Sequence, residues 1–294
     1  MNKIKVGIIG PGNIGSDLMI KVCRSPWLEL SCVVNVVQFQ GLERARKLGA
    51  DTSDKGIDYM LEKYTGDIRI VFDATSAKAH LEAAPRLKAA GMFTLDLTPA
   101  AVGPYCVPAV NLTEAMLAQP NLNMVTCAGQ ATTPMVAAIN QLADVYYAET
   151  VSSLSSKSAG PGTRANIDEF TQTTRSALET IGGADRAKAI IVLNPAEPPI
   201  YMRNTIYLRV RHMNMDKIGL AANECLARMQ SYVPGCRFRM APTLKDPNDD
   251  IVMMMLEVEG LGDYLPVYAG NLDIINAAAV KIAEEKAKRL LGVA

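Results

Sequence analysis

A chain of 294 residues is long enough for one large domain or two ordinary ones, each with a real core. Apolar residues make up 49%, and 30 lysines and arginines balance 30 acids, so no basic surplus marks nucleic acid as the main partner. The longest apolar runs are too short to span a bilayer, and six scattered cysteines with two histidines, His80 and His212, form no zinc-type cluster.

The opening, MNKIKVGIIGPG, reaches a glycine turn after a few apolar residues, leaving no h-region for a signal peptide. With no C-x-x-C pair, this predicts reduced thiols in a cytoplasm. Lys3 to Ile9 is rich in β-branched residues and predicts a strand, and Ile14, Leu18 and Val22 share one face of a helix. Between them Gly10-Pro11-Gly12-Asn13-Ile14-Gly15 is a G-x-G-x-x-G in strand–turn–helix context. There Gly10 permits the tight turn, Gly12 lets a pyrophosphate approach the backbone, and Gly15 allows close helix–strand contact. The helix N-terminus offers its N–H groups to the phosphates. LSCVVNVV predicts a second strand and GLERARKLGA a helix ended by Gly49. IRIVFDATS predicts another strand, ending at Asp73, Thr75 and Ser76 before a helix from Ala77 to Ala90. MFTLDLTP and NLNMVTC are further strands. Such alternation implies an α/β fold with a Rossmann-type parallel sheet and ligands at the carboxyl ends of its strands, which makes Thr75 a cofactor-binding candidate. The second strand carries no carboxylate at its end. Asn35 or Gln38 would take the ribose hydroxyls, and Arg44 or Arg46 would tolerate a 2′-phosphate, so NAD and NADP both stay open.

From Val145 the pattern changes. VYYAETVSSLSS, KAIIVLNP, NTIYLRVRH and IVMMMLEVEG predict strands, with helices over Asp168–Ile181 and Asp216–Tyr232. Long strands with few helices suggest an α+β domain with a mainly antiparallel sheet. The expected division is a dinucleotide-binding domain over 1–130 and a catalytic and dimerisation domain over 131–271. A final helix, 272–294, packs back on the first.

Cys127, in NMVTCAGQATTPM, ends a predicted strand. A free cysteine is ordinarily a small apolar packing residue. Here a helix is expected to begin just after it, with Thr133 as N-cap and Pro134 at its first position. A nearby helix N-terminus lowers a thiol from about 8.5 towards neutrality. Cys23, Cys32 and Cys225 lie in helix or strand patterns, and Cys106, in a proline-bracketed loop, is the rival. A thiolate beside a nicotinamide suggests aldehyde oxidation through a thiohemiacetal, with a thioester left on the enzyme. SAGPGTRAN (Ser158 to Asn166) is either an ordinary loop with Asn166 or Asp168 capping a helix, or a cover for cofactor phosphates or nicotinamide through its N–H groups and Arg164. His80 is expected to pack or cap, and His212 to lie at the surface.

The strings GPGNIG, DATSA, DLTPAAVGPYCVP, NMVTCAGQAT, SSKSAGPGTRANIDEF, NPAEPP and YLPVYAGNLDI resemble the acylating (CoA-dependent) acetaldehyde dehydrogenases of bacterial meta-cleavage pathways, over nearly the whole chain. The resemblance implies oxidation of acetaldehyde or a short homologue with NAD and coenzyme A to acyl-CoA. It also implies a homodimer within a heterotetramer with a 4-hydroxy-2-oxovalerate aldolase, which passes the aldehyde through a channel. Position by position, Cys127 is similar to the acyl-accepting nucleophile. Gly10, Pro11, Gly12, Asn13, Ile14 and Gly15 look like cofactor contacts, as do Ser158, Ala159, Gly160, Pro161, Gly162, Thr163, Arg164, Ala165 and Asn166. Asn271 resembles the asparagine near the nicotinamide and the reacting carbonyl, placed to stabilise an oxyanion. The chain departs from the pattern in four places. Asn204 occupies the catalytic position of the aspartate in MRDT but cannot accept a proton. Ala128 and Thr133 replace a glycine and an isoleucine of C-G-G-Q-A-T-I-P, the acid after the second strand is absent, and Arg239 to Asp250 is short. Two other readings stand beside this one: a phosphorylating semialdehyde dehydrogenase, which calls for a base histidine, and a non-catalytic nucleotide-binding partner of an aldolase.

Overall fold

The structure, a computed structural model, describes residues 2–100, 102–160, 163–164, 166–246 and 250–293. The expected cofactor contacts at Pro161, Gly162 and Ala165 lie outside the described residues. The chain divides into two compact units. One comprises Met1–Pro108, Leu112–Met124 and Asn276–Ala294, the other Ala109–Asn111 and Val125–Ile275.

The first unit is built on β1 (Ile4–Ile9), β2 (Leu28–Val34), β3 (Asp51–Ser53), β4 (Ile70–Asp73), β5 (Phe93–Asp96) and β6 (Asn121–Asn123). These pair in the order β3-β2-β1-β4-β5-β6, all parallel. Between them run α1 (Asn13–Arg24), α2 (Gln40–Lys47), α3 (Gly56–Tyr64) and α4 (Ala77–Ala89). Val6, Ile8, Ile70, Val71 and Phe72 are fully buried, as strands covered on both faces require. Strand order reverses between β1 and β4, the crevice where doubly wound sheets bind ligands. Two expectations are corrected here. β2 stops at Val34, because the Asn35 N–H turns to Ser53 O at 3.0 Å. The apolar Val36 and Val37 that follow are therefore loop residues, 79% and 58% exposed. β3 and α3 are additional elements. Asp51 ties them together, accepting from the hydroxyls of Tyr59 and Tyr64 and from Lys63 Nζ at 2.6–2.8 Å.

The second unit carries β7 (Val145–Ser155), β8 (Ala187–Asn194), β9 (Met202–Val210), β10 (Cys236–Leu244) and β11 (Ile251–Val258), in the order β10-β11-β9-β7-β8. Only β7 and β8 are parallel, so this sheet is mixed and mainly antiparallel. β10 is an edge strand with two register shifts and a proline at Pro242, which hid it from the sequence pattern. Helices α5 (Cys127–Ala143), α6 (Ile167–Thr180) and α7 (Met215–Gln230) pack on the sheet and on one another. Every residue of α5 from Cys127 to Ile139 is buried, which identifies it as the central helix of the unit.

The last helix, α8 (Gly270–Leu291), contributes its C-terminal part to the first unit. There Asn276 Nδ2 donates to Asp17 Oδ2 at 2.9 Å, Ser25 Oγ donates to Glu284 at 2.6 Å, and Lys286 Nζ donates to Leu117 O at 2.7 Å. Among the described residues no helix is long and apolar enough to cross a membrane.

Candidate active site

The glycine turn shapes one part of the site. Gly10 has φ +86°, a left-handed conformation that glycine adopts without a Cβ penalty. A Cβ on Gly15 would lie 2.2 Å from Gly10 O, so α1 can approach the turn only with glycine there. At Gly12 a Cβ would meet nothing within 4 Å, which leaves its backbone open to a ligand. The first helical bond of α1 runs from Ser16 N to Gly12 O, so the amides of Asn13, Ile14 and Gly15 carry the unsatisfied dipole of the helix N-terminus. Beside the turn lies a cavity of about 520 Å³, lined by Gly10, Gly12, Asn35, Val37, Phe39 and Thr75 among others. It lies in the crevice between the carboxyl ends of β1 and β4 and fits an adenine dinucleotide in size and lining. Asn35 Nδ2 is bonded to Val37 O at 3.0 Å, and Arg44 Nη1 donates to Ser16 Oγ at 2.7 Å.

In the second unit the thiol lies at a helix start, but not the expected one. Helix α5 begins at Cys127 itself, capped by Thr126, whose Oγ1 accepts from Gly129 N at 2.9 Å. Thr133 and Pro134 lie inside the helix. A chain of hydroxyls anchors the cap. Thr174 Oγ1 donates to Phe170 O at 2.7 Å, so the 2.7 Å bond between Thr126 and Thr174 has Thr126 as donor. Val125, just before the cap, has φ 61°, a genuine outlier for a β-branched residue that costs about 1–3 kcal/mol. A Cβ on Gly129 would meet Val125 Cγ1 at 2.6 Å, so the two positions constrain each other.

Burial pushes the Cys127 thiol up to about 12, while the backbone amides of Ala128 and Cys127 pull it the other way. The helix N-terminus acts in the expected direction, but desolvation of an 8%-exposed side chain outweighs it. Cys106 is also held at about 12 by burial.

Asn271, in the first turn of α8, is buried and meets the SAGPGTRAN loop. Its Nδ2 donates to Ser158 O at a long 3.4 Å, and its Oδ1 has no partner. Arg164 turns back on its own loop, with Nε to Ala159 O at 3.0 Å and Nη2 to Ser156 O at 2.8 Å. Its guanidinium clips the loop. Asn166 stands at the N-cap position of α6 without a side-chain cap bond. Asn204 is fully buried on β9. Its Oδ1 accepts from Ser152 Oγ at 2.7 Å and its Nδ2 has no partner. No hydrogen bond among the described residues joins Asn204 or Asn271 to Cys127. His80 is buried in the first unit and bonded to Asp73, and His212 is exposed. Thr126 and Val125 went unnoticed in the sequence, and Asp73 was placed at a strand end without a role. Only the recurrence of D-x-T at two strand ends, DAT and DLT, carried a signal for the last.

Comparison with known proteins matches residues 127–266 to the model of the prokaryotic acetaldehyde dehydrogenase dimerisation domain, and residues 5–118 to the semialdehyde dehydrogenase NAD binding domain. The acetaldehyde dehydrogenase of Carboxydothermus hydrogenoformans is 58% identical over 291 residues, covering 99% of this chain and 95% of that protein. That of Geobacillus thermodenitrificans is 54% identical, covering 97% of this chain and 96% of the relative. Aspartate semialdehyde dehydrogenase II of Vibrio cholerae superposes with a TM-score of 0.65 at 11% identity over 96% of this chain and 98% of its own, a likeness of fold. At such identity over nearly its full length, this chain belongs to the acetaldehyde dehydrogenase family of NAD-dependent oxidoreductases.

Proposed function

We propose that this protein oxidises acetaldehyde or a short homologue with NAD and transfers the acyl group to coenzyme A, carrying it on Cys127. The observation that supports this most is the buried thiol at the first position of α5, with two backbone amides acting on its sulfur. Such a thiol stays protonated until a carbonyl arrives. Sγ then bonds to the carbonyl carbon, the carbonyl electron pair moves to oxygen, and that oxygen takes up the thiol proton, giving a thiohemiacetal. Asn271, whose Nδ2 makes only a long bond to Ser158 O, is the side-chain donor for the developing oxyanion. NAD would be held at Gly10–Gly15 and Thr75 and would supply the acceptor for the hydride leaving the former carbonyl carbon. The hydroxyl proton of the thiohemiacetal passes to solvent as the hydride departs, and Cys127 is left as a thioester. The coenzyme A thiol attacks this carbon, and Cys127 departs and recovers its proton. Asn204 orders the neighbourhood of Ser152 through its amide and carries no proton in these steps.

Because no acid follows β2, NADP is accepted at a modest penalty. The face of the second sheet bearing Val151, Tyr207, Met253 and Met255, all half-buried, is the contact surface of the homodimer. The resemblance extends the proposal to a 4-hydroxy-2-oxovalerate aldolase partner that supplies the aldehyde, and co-elution of the two proteins tests that extension.

The test of the reaction is NADH formation from acetaldehyde, coenzyme A and NAD. Wild type is expected to be active and Cys127→Ala inactive. Activity that survives the substitution, or that needs inorganic phosphate in place of coenzyme A, contradicts the proposal.

A further inference from the structure

Two neighbouring strands of the parallel sheet end in the same way. β4 runs into Asp73-Ala74-Thr75 and β5 into Asp96-Leu97-Thr98, and Asp73 and Asp96 are register partners. In each, one carboxylate oxygen accepts from the N–H and the hydroxyl of the threonine two residues on. The distances are 3.0 and 2.5 Å at Thr75, and 2.8 and 2.6 Å at Thr98. Both aspartates are buried. Two carboxylates on adjacent strands in the interior repel, and each carries a desolvation cost that needs a partner.

His80, in the first turn of α4 and fully buried, stands between them. Its Nδ1 lies 2.8 Å from Asp73 Oδ2, and its Nε2 lies 3.5 Å from Asp96 Oδ2 and 2.8 Å from Asn121 Nδ2. Asn123 Nδ2 donates to Asp96 Oδ2 at 3.0 Å. The Oδ1 of Asn121 has no partner, and turning that amide over would place it as acceptor on Nε2. Both ring nitrogens then donate, as in an imidazolium. Burial disfavours the charged ring, but the bond to Asp73 and the charges of Asp96 and Asp73 outweigh it and hold its pKa above the ordinary value.

The turn that Asp73 holds abuts the glycine turn closely. A Cβ on Gly10 would meet Ala74 O at 2.8 Å and Thr75 Cγ2 at 2.9 Å. Asp73, Ala74, Thr75 and Ser76 all line the 520 Å³ cavity. We propose that His80 is a positioning residue for the dinucleotide: by bridging Asp73 and Asp96 it holds the β4–α4 turn in place, so that Thr75 and the glycine turn together form one wall of the cofactor cavity. The inference rests on the assignment of that cavity to NAD.

NADH binding, followed by fluorescence titration, separates the two claims. Wild type binds NADH, and in His80→Ala the Kd for NADH and the KM for NAD rise about tenfold, the scale of one lost charge-assisted hydrogen bond. The KM for acetaldehyde moves far less, which a general loss of folding would not produce. Thr75→Val breaks the same chain at its cavity end and leaves the buried bridge intact, so it reports even where His80→Ala does not fold. It raises the Kd for NADH several-fold, and the double variant binds no more weakly than the worse single one. Equal affinity in wild type and either single variant overturns the inference, as does additivity in the double variant. Failure of wild type itself to bind NADH overturns the cavity assignment.

Discussion

Cys127 shows how two local effects of opposite sign are decided by burial. The amides at the start of α5 favour thiolate and desolvation favours thiol, and desolvation wins, at about 12. At pH 8 such a group is thiolate to about one part in ten thousand. Alkylation of the cofactor-free enzyme by iodoacetamide is therefore expected to be slow at neutral pH and to keep rising through about pH 10, without the plateau of a low-pKa thiol. A plateau near neutrality would show a thiolate already present. Asn35 makes a second point at this scale. An aspartate there would accept the ribose hydroxyls and repel a 2′-phosphate. Asn35→Asp is expected to shift the NAD-to-NADP ratio of kcat/KM by about tenfold towards NAD, which steady-state kinetics with both cofactors will read. Cys127 and Asn271 were singled out because each lies in a long distinctive string. Thr126 was not, because the Thr133-Pro134 pair is a more conspicuous helix-start signal and the pattern does not show that the helix begins six residues earlier.

Elements of the thiol unit depend on each other through the hydroxyl chain from α5 to α6. Thr126→Val keeps the shape but removes both the cap on Gly129 and the bond to Thr174. It is expected to lower stability by about 1 kcal/mol in denaturant unfolding and to lower kcat, because the same cap orients the first residue of the helix. Unchanged kcat would show that cap geometry is not transmitted to Cys127. The parallel sheet was legible from alternating strand and helix patterns, since β1, β2 and β4 are rich in β-branched and other apolar residues. β3 is three residues long and β10 is an irregular edge, so neither has enough periodicity to be seen. The end of β2 was misplaced for a related reason: Val36 and Val37 are apolar yet exposed, in the loop that borders the cavity beside the glycine turn.

At the scale of the whole molecule, the buried His80 bridge couples the nucleotide-binding unit to pH. A folded pKa above the unfolded value means that His80 contributes stability fully below about pH 6.5, and loses it as pH rises through the folded pKa. Asp96, raised by burial against the opposing effects of His80, Thr98 and Asn123, has the same sign in a window that opens at about pH 3.9. Glu257, against which Arg239, Arg203 and Arg237 outweigh burial, has the opposite sign and loses its contribution in acid. The difference in Tm between wild type and His80→Gln is thus expected to narrow as pH rises above about 6.5. A difference independent of pH would show a neutral histidine.

The central claim is that Cys127 carries the acyl group, and the most direct measurement is mass spectrometry of enzyme incubated with acetaldehyde and NAD in the absence of coenzyme A. An acetyl group on the Cys127 peptide, discharged when coenzyme A is added, is the predicted result. NADH formation with Cys127 unmodified, or an acetyl group on another cysteine such as Cys106, would contradict it.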